Sequence, residues 1–336
     1  MRKHLRAFII AIFSLIVLVF IHTFSFLMTP VTPPKPVLVE ISSGQSAWHI
    51  SKTLEKTGVI SHASTFITIA ALTGKAKRLQ AGSYVFEGNH VPLDIMNILF
   101  RGRTLRYRIT IPEGYTLYQI GDAISKTGLL PKESFVESAF APQSTSFFQV
   151  KAPSMEGFCY PDTYFLVPHM TSLEIMARMF DRFRKIYTSD MDRQAKKLGM
   201  STLEIITLAS IIEKEAITRA EKPLISSVFH NRIKLGMRLQ SDPTVIYGVN
   251  GFTGKIGPEE LLRESPYNTY RHEGLPPGPI CNPGLESIKA ALWPATTPYL
   301  YFVSRGNGTH SFSATLEEHN RAILNISKHK KNSSIL

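Results

Sequence analysis

The chain has 336 residues, 43% of them hydrophobic, which is enough to fill the cores of two ordinary domains and excludes a disordered polypeptide. Its formal charge of +12 favours an anionic partner, but the basic residues are scattered apart from a tail at Lys328, His329, Lys330 and Lys331; with no zinc-finger spacing, bZIP-like region or RNP-type motif, nucleic acid is set aside. Two cysteines, Cys159 and Cys281, exclude a disulfide framework and are too few for a cysteine-based zinc site, leaving either one bridge or two buried thiols.

Arg2, Lys3, His4 and Arg6 precede an apolar run over residues 7–28 that holds no acidic residue, lysine or arginine. A helix of that length reaches about 33 Å, against a hydrocarbon core of about 30 Å. The basic flank places residues 1–6 in the cytoplasm and everything after Met28 outside, as in a single-pass inner-membrane protein. The long apolar core and the lack of a small-x-small cleavage site argue against a cleaved signal peptide. Residues 29–36, TPVTPPKP, carry four prolines and read as an extended membrane-to-domain linker.

From Val37 to Ile60 the pattern predicts a strand, a glycine turn at Gly44 and an amphipathic helix closed by Gly58. The same pattern returns from Ile109 to Leu130, pairing Ile41 with Ile111, Gly44 with Gly114, Trp48 with Tyr118, Ile50 with Ile120, and Lys56, Thr57 and Gly58 with Lys126, Thr127 and Gly128. Residues 37–130 are therefore expected to form a repeat region, each copy burying one apolar face against strands suggested by 81–86 and 105–111. The first copy resembles LysM-like modules, which implies contact with N-acetylglucosamine-containing polymers; a purely scaffolding role fits the same pattern, and Trp48 suits either a sugar face or the core.

A domain boundary is expected between residues 100 and 150, with the chemistry in 150–327. A helical segment is predicted near 172–198. A second, largely buried helix is predicted over 201–216, with Ser201 or Thr202 as N-cap and Glu204 in its first turn. Projected at about 100° per residue, its apolar stripe leaves Lys214 nearly opposite, while Glu213 and Glu215 fall about 75° and 85° from the stripe's centre on opposite borders. A carboxyl at such a border suits a general acid, a solvated EKE face is the plain alternative, and periodicity does not choose between the two glutamates.

The combination of EGFCYPDTYFL (156–166), LASIIEKEA (208–216), LQSDPTVIYG (239–248), YNTY (267–270), GLPPGPI-x-NPG (274–284) and PYLYFVSRGNGTHSF (298–312) resembles the YceG-like endolytic murein transglycosylases, the MltG family. The resemblance implies an α+β fold: an N-terminal transmembrane helix, a LysM-like repeat subdomain and a mixed α/β catalytic domain. It further implies a peptidoglycan lyase without a cofactor, acting on nascent glycan strands, with cell-wall synthases (penicillin-binding proteins) as partners and the end of strand elongation as its effect. Glu213 corresponds to the family's catalytic residue. It would protonate the oxygen between N-acetylmuramic acid and N-acetylglucosamine, then take the proton of the muramyl C6 hydroxyl as that oxygen attacks C1, leaving a 1,6-anhydro end. Such an acid needs an apolar setting, which the surrounding isoleucines offer.

Glu215 is expected to support the site, as are Gln240, Ser241 and Asp242. Tyr267, Asn268 and Tyr270 combine aromatic faces and amides suited to sugar. Asn231 and Arg232 are expected to order the next helix, or Arg232 to meet a peptide carboxylate. His310 and His319 lack the neighbouring ligands of a metal site. Two other functions stay open: a muramidase using Glu213 with Asp242, and a non-catalytic peptidoglycan-binding scaffold.

Overall fold

The computed structural model describes residues 2–249 and 256–333. Met1 of the expected cytoplasmic stretch and residues 250–255 of the expected catalytic domain lie outside the described residues, as do the side chains of His329, Lys330 and Lys331 in the basic tail. The chain divides after Tyr107 into two units, the first of which also includes residues 167–169.

In the first unit, α1 (Arg2–Met28) is a single helix, long and apolar enough over His4–Met28 to cross a membrane. Its C-terminal end does not stop at a free tether. Phe26 is only 6% exposed and joins the unit's core with Ile60, Phe66 and Met96, while Leu27 packs beside it. The proline-rich stretch that follows is pinned as well: Val31 exchanges backbone hydrogen bonds with His90 at 2.8 and 3.1 Å. The expected spacer is thus a strapped segment, because Val31 finds a bridge partner despite the prolines around it. Truncating Phe26 to alanine is expected to cost the first unit about 3 kcal/mol, read as a lower melting temperature of the full chain in detergent.

Strand β1 (Val37–Ile41) alternates, turning Val39 and Ile41 inward, and leads to α2 (Ala47–Lys56), capped by the Ser46 hydroxyl, which accepts from the His49 amide at 3.3 Å. Helix α3 (Ala63–Leu72) follows, then β2 (Gly82–Phe86), which pairs antiparallel with β1, Val37 opposite Phe86 and Ile41 opposite Gly82. Helix α4 (Pro92–Arg101) closes the unit over the same core. The first repeat copy therefore has the expected strand, turn and helix. Trp48 is not in the core: it is 48% exposed, with the Lys52 ammonium 5.2 Å from its ring.

The second copy belongs to the second unit and makes a different sheet. Strand β3 (Tyr107–Thr110), which begins at the division, pairs with β4 (Thr163–Leu166), and α5 (Leu117–Ser125) starts at a capping box of Thr116 and Gln119. Helices α6 (Lys132–Phe140) and α7 (Pro142–Phe147) come between α5 and β4. The helical segment predicted near 172–198 is two helices, α8 (Ser172–Ile186) and α9 (Ser189–Lys197). Tyr187 leaves helical geometry with ψ 93°, and Thr188 caps a new start.

The central element is α10 (Thr202–Glu215), in which every residue from Ile205 to Ile212 is buried. Its start is the predicted one: the Ser201 hydroxyl accepts from the Glu204 amide, and the Glu204 carboxylate accepts from the Ser201 amide at 2.7 Å. Ser201→Ala should remove about 1 kcal/mol of stability, checked by denaturant unfolding. Around α10 pack α9, α11 (Lys222–Lys234), the short α12 (Asp242–Ile246) and α14 (Leu285–Leu292), with α13 (Pro258–Leu262) against α12. A hairpin of β5 (Tyr301–Ser304) and β6 (His310–Ser313) and the last helix, α15 (Leu316–Ser333), complete the unit. Gly157, at φ +86°, lets the 156–160 turn press onto α10: a methyl there would lie 2.5 Å from Pro279 and 2.7 Å from Ile206.

Candidate active site

Successive residues of a helix point about 100° apart, so Glu213, Lys214 and Glu215 at the C-terminal end of α10 face three different surroundings. Glu213 faces α11 and α14. The Lys222 ammonium, itself only 8% exposed, donates to both carboxylate oxygens at 3.2 Å. Oε2 also accepts from the Gly284 amide at 3.0 Å and the Ser287 hydroxyl at 2.6 Å. A lysine, a backbone amide at the start of α14 and a serine thus fix one carboxyl orientation, and all three are donors aimed at negative charge.

A second carboxyl stands beside it. Glu113, in the turn before α5, lies against Gly284 so closely that a methyl on Gly284 would sit 2.0 Å from its carboxyl. Gly114 next to it is 3.5 Å, by the same measure, from the Glu213 side chain. Partial burial and the neighbouring Glu213 push the Glu113 carboxyl up, against the pull of Lys222 and Arg219.

Lys214 points the other way, into a cavity of about 330 Å³ lined by Tyr118, Lys132, Pro243, Ile246, Tyr247 and Ile280 among others. Below it, Glu156 is 1% exposed and accepts from the Leu117 amide at 3.1 Å, the Tyr247 hydroxyl at 3.0 Å and the Asn282 amide at 2.8 Å. Burial dominates these donors and pushes Glu156 up to about 8.

Glu215 accepts from the Ser241 hydroxyl at 2.6 Å, and its burial pushes it up to about 7. Asp242 neighbours Glu215, where it accepts from the Tyr270 hydroxyl at 2.5 Å. Ser241, Asp242 and Tyr270, expected to support Glu213, therefore gather around Glu215 instead. Gln240, at φ +50°, hangs its backbone amide on Thr269, and its side chain is exposed. Such a left-handed conformation in a residue other than glycine is held by its surroundings, here by Leu239 and Ser241 buried on either side.

The remaining expected residues are tied into the scaffold. The Asn231 amide donates to the Thr297 and Tyr299 carbonyls, each at 2.9 Å. Arg232 spends its guanidinium on the Leu300, Arg238 and Leu239 carbonyls and stacks over Tyr301, so the peptide-carboxylate role does not fit it. Asn268 is fully buried and donates to the Leu261 and Arg263 carbonyls. Tyr267 packs on Tyr247, ring centroids 4.7 Å apart. His310 is taken up by Glu221, which accepts from its backbone amide at 2.9 Å and lies 2.8 Å from its ring nitrogen. Cys159 and Cys281 are both free, buried thiols, so the bridge is not formed.

Lys222, Ser287, Glu156 and Glu113 were missed in the sequence. Glu113 alone carried a signal: in the repeat alignment it stands opposite Ser43, an acid where the other copy has a small polar residue.

Residues 39–325 match the sequence model of the YceG-like family. The chain is 34% identical over 302 residues to the endolytic murein transglycosylase of Bacillus subtilis (strain 168), covering 85% of this chain and 83% of that protein. It is 29% identical over 334 residues to the endolytic murein transglycosylase of Streptococcus pneumoniae (strain ATCC BAA-255 / R6), of which it spans 58%. Among solved structures, a YceG-like protein from Listeria monocytogenes aligns with a TM-score of 0.59 at 34% identity, covering 85% of this chain and 98% of that one.

Proposed function

The chain belongs to the YceG-like family, and from that premise we propose that it is a membrane-anchored endolytic murein transglycosylase in which Glu213 performs the acid/base chemistry. It cuts glycan strands internally between N-acetylmuramic acid and N-acetylglucosamine. The glycosidic oxygen gains a proton, the muramyl C6 hydroxyl loses one, and C1 passes from one oxygen to the other, so no water is consumed and the product ends in a 1,6-anhydro ring. The observation that carries this reading is the fixed Glu213 carboxyl, held by Lys222, Gly284 and Ser287 at the C-terminal end of the buried helix α10. A substrate that brings its own nucleophile needs proton transfer at two oxygens and an environment that tolerates charge as protons move, and the three donors provide that environment before the reaction begins.

The anchor α1 sits in the inner membrane with its short basic end in the cytoplasm and both units outside, which puts nascent strands and their synthases within reach. Trp48, exposed beside Lys52 on the first repeat copy, supports glycan contact by that LysM-like unit. Residues 37–130 then serve as the repeat region and 150–327 as the catalytic region.

The test is the chemistry of the new ends. Full-length protein in detergent, incubated with peptidoglycan, is expected to yield anhydromuramyl ends by mass spectrometry. Reducing ends in their place would make it a muramidase, and binding without cleavage would make it a scaffold. The muramidase pairing with Asp242 lacks support from geometry, because Asp242 is engaged by Tyr270 beside Glu215.

A further inference from the structure

The later part of the first unit is strongly basic: residues 75–107 hold six lysines and arginines against two acids, Glu87 and Asp94. Several of these cations are already engaged. The Lys75 ammonium donates to Asn97 Oδ1 at 2.7 Å and, with Arg78, covers the ring of Phe100, while Arg106 Nε donates to the Thr104 hydroxyl at 3.4 Å. Arg101 and Arg103 differ. Both are exposed, and neither enters an ion pair among the described residues. Together with His90, Asp94, Asn97 and Ile98 they line one cavity of about 300 Å³.

The end of α4 explains how two arginines so close in sequence reach the same cavity. Arg101 is the last residue of the helix, Gly102 turns the chain at φ +61°, and the Arg103 amide returns to the Ile98 carbonyl at 3.0 Å. The arginines thus flank one tight turn. A single cation would be enough to offset the partial negative charge of the helix end, and Arg103 lies beyond the helix. The other wall of the cavity belongs to the membrane side. His90 exchanges backbone hydrogen bonds with Val31, three residues past the end of α1, and α4 packs against α1 itself. Three residues reach at most about 10 Å, so His90 stands at the edge of the headgroup layer that flanks the hydrocarbon core.

Resting on the reading of α1 as a membrane anchor, we propose that this cavity is a headgroup site for an anionic phospholipid, with phosphatidylglycerol as its occupant. The phosphodiester meets Arg101 and Arg103, whose guanidinium groups suit phosphate oxygens. Asn97 has its side-chain oxygen occupied by Lys75, which leaves its NH₂ group to donate to the same phosphate. Asp94 lies seven residues before Arg101, about 10 Å along the helix, far enough to accept from the glycerol hydroxyls without crowding the phosphate. A choline headgroup fits these walls poorly, because it brings a cation towards the arginines and has no hydroxyl for Asp94. The bound lipid holds the first unit to the bilayer on the side of α4.

The test is lipid selectivity of the full-length chain. Protein in detergent is given equal amounts of phosphatidylglycerol and phosphatidylcholine, and the lipid retained is read by native mass spectrometry for wild type, for Arg101→Ser/Arg103→Ser and for Lys77→Ser/Arg106→Ser, which removes the same charge outside the cavity. Wild type is expected to retain phosphatidylglycerol in preference. The Arg101/Arg103 variant should weaken that binding about 30-fold, the ordinary effect of two basic residues at an anionic surface, and the Lys77/Arg106 variant less than about threefold. Equal losses in the two variants would mean diffuse charge and overturn the site, as would a wild type without preference between the lipids. Glycerol 3-phosphate at millimolar concentration should leave the lipid in place; its displacement of the lipid would make the cavity a site for soluble phosphate esters instead. A wild type that alkaline washing strips from phosphatidylglycerol liposomes would overturn the anchor, a failure distinct from loss of selectivity in a chain that stays in the bilayer.

Discussion

Glu213→Gln is expected to lower the yield of anhydromuramyl ends by about three orders of magnitude while leaving the protein folded and able to bind peptidoglycan. Glutamine preserves the volume, so the packing of Ile211 and Ile212 beside it is undisturbed. It also keeps one acceptor for the Gly284 amide or the Ser287 hydroxyl, which limits the structural cost. What it cannot do is exchange a proton. Lys222 meanwhile loses half of its carboxylate partner and becomes a buried cation with a weaker counterpart, so a small fall in melting temperature should accompany the loss of activity. The control is Glu215→Gln. That amide still accepts from Ser241, and its loss of activity should be far smaller. An active Glu213→Gln together with an inactive Glu215→Gln would move the acid to Glu215, whose burial already pushes it up to about 7.

The largest loss of stability is expected from Glu156→Ala. Three donors converge on that carboxyl: the Leu117 amide at the start of α5, the Tyr247 hydroxyl and the Asn282 side chain. Asn282 also donates to the Tyr115 carbonyl and accepts from the Cys159 amide, so one glutamate and one asparagine tie four separate segments together. Removing the carboxyl leaves buried donors without acceptors, each costing about 1–3 kcal/mol, in addition to the cavity. A total of about 4 kcal/mol is expected, read from denaturant unfolding followed in the second unit. The wild type should carry a pH signature from the same group. Unfolded, Glu156 ionises near its ordinary 4.5; folded, it does so only at about 8. Its contribution is therefore fully present below pH 4.5 and is lost as pH rises from 4.5 to 8, where the unfolded chain holds fewer protons. Glu156→Gln should flatten that slope; an unchanged slope would mean that the site ionises while folded.

Much of the fold was legible in the sequence because its signals are local. The apolar run at 7–28, the Ser201 and Glu204 cap with the buried stripe after it, and the glycine-closed helix of each repeat copy all lie within a few residues of the elements they specify. The pairing of strands was not legible, since β1 finds β2 while β3 waits for β4, more than fifty residues further on. The site follows the same rule. Glu213 could be placed on the border of a stripe, but its partners Lys222, Gly284 and Ser287 lie 9, 71 and 74 residues away. Asn268 looked like a sugar-binding amide and Asn231 like a residue that orders its own helix, because composition says nothing about which carbonyl an amide will meet. In the structure both are saturated by the backbone.

The anchoring of Phe26 has a mechanical consequence. With Phe26 in the last turn of α1 seated in the core of the first unit, and Val31 strapped to His90, the membrane helix is tied to that unit at two points. Once α1 lies in a bilayer, the unit rides at a set height above the lipid and turns only when the helix spins about its own axis. It cannot swing out as a hook on a string would. Trp48 and Lys52 therefore sweep the plane of the membrane at constant altitude.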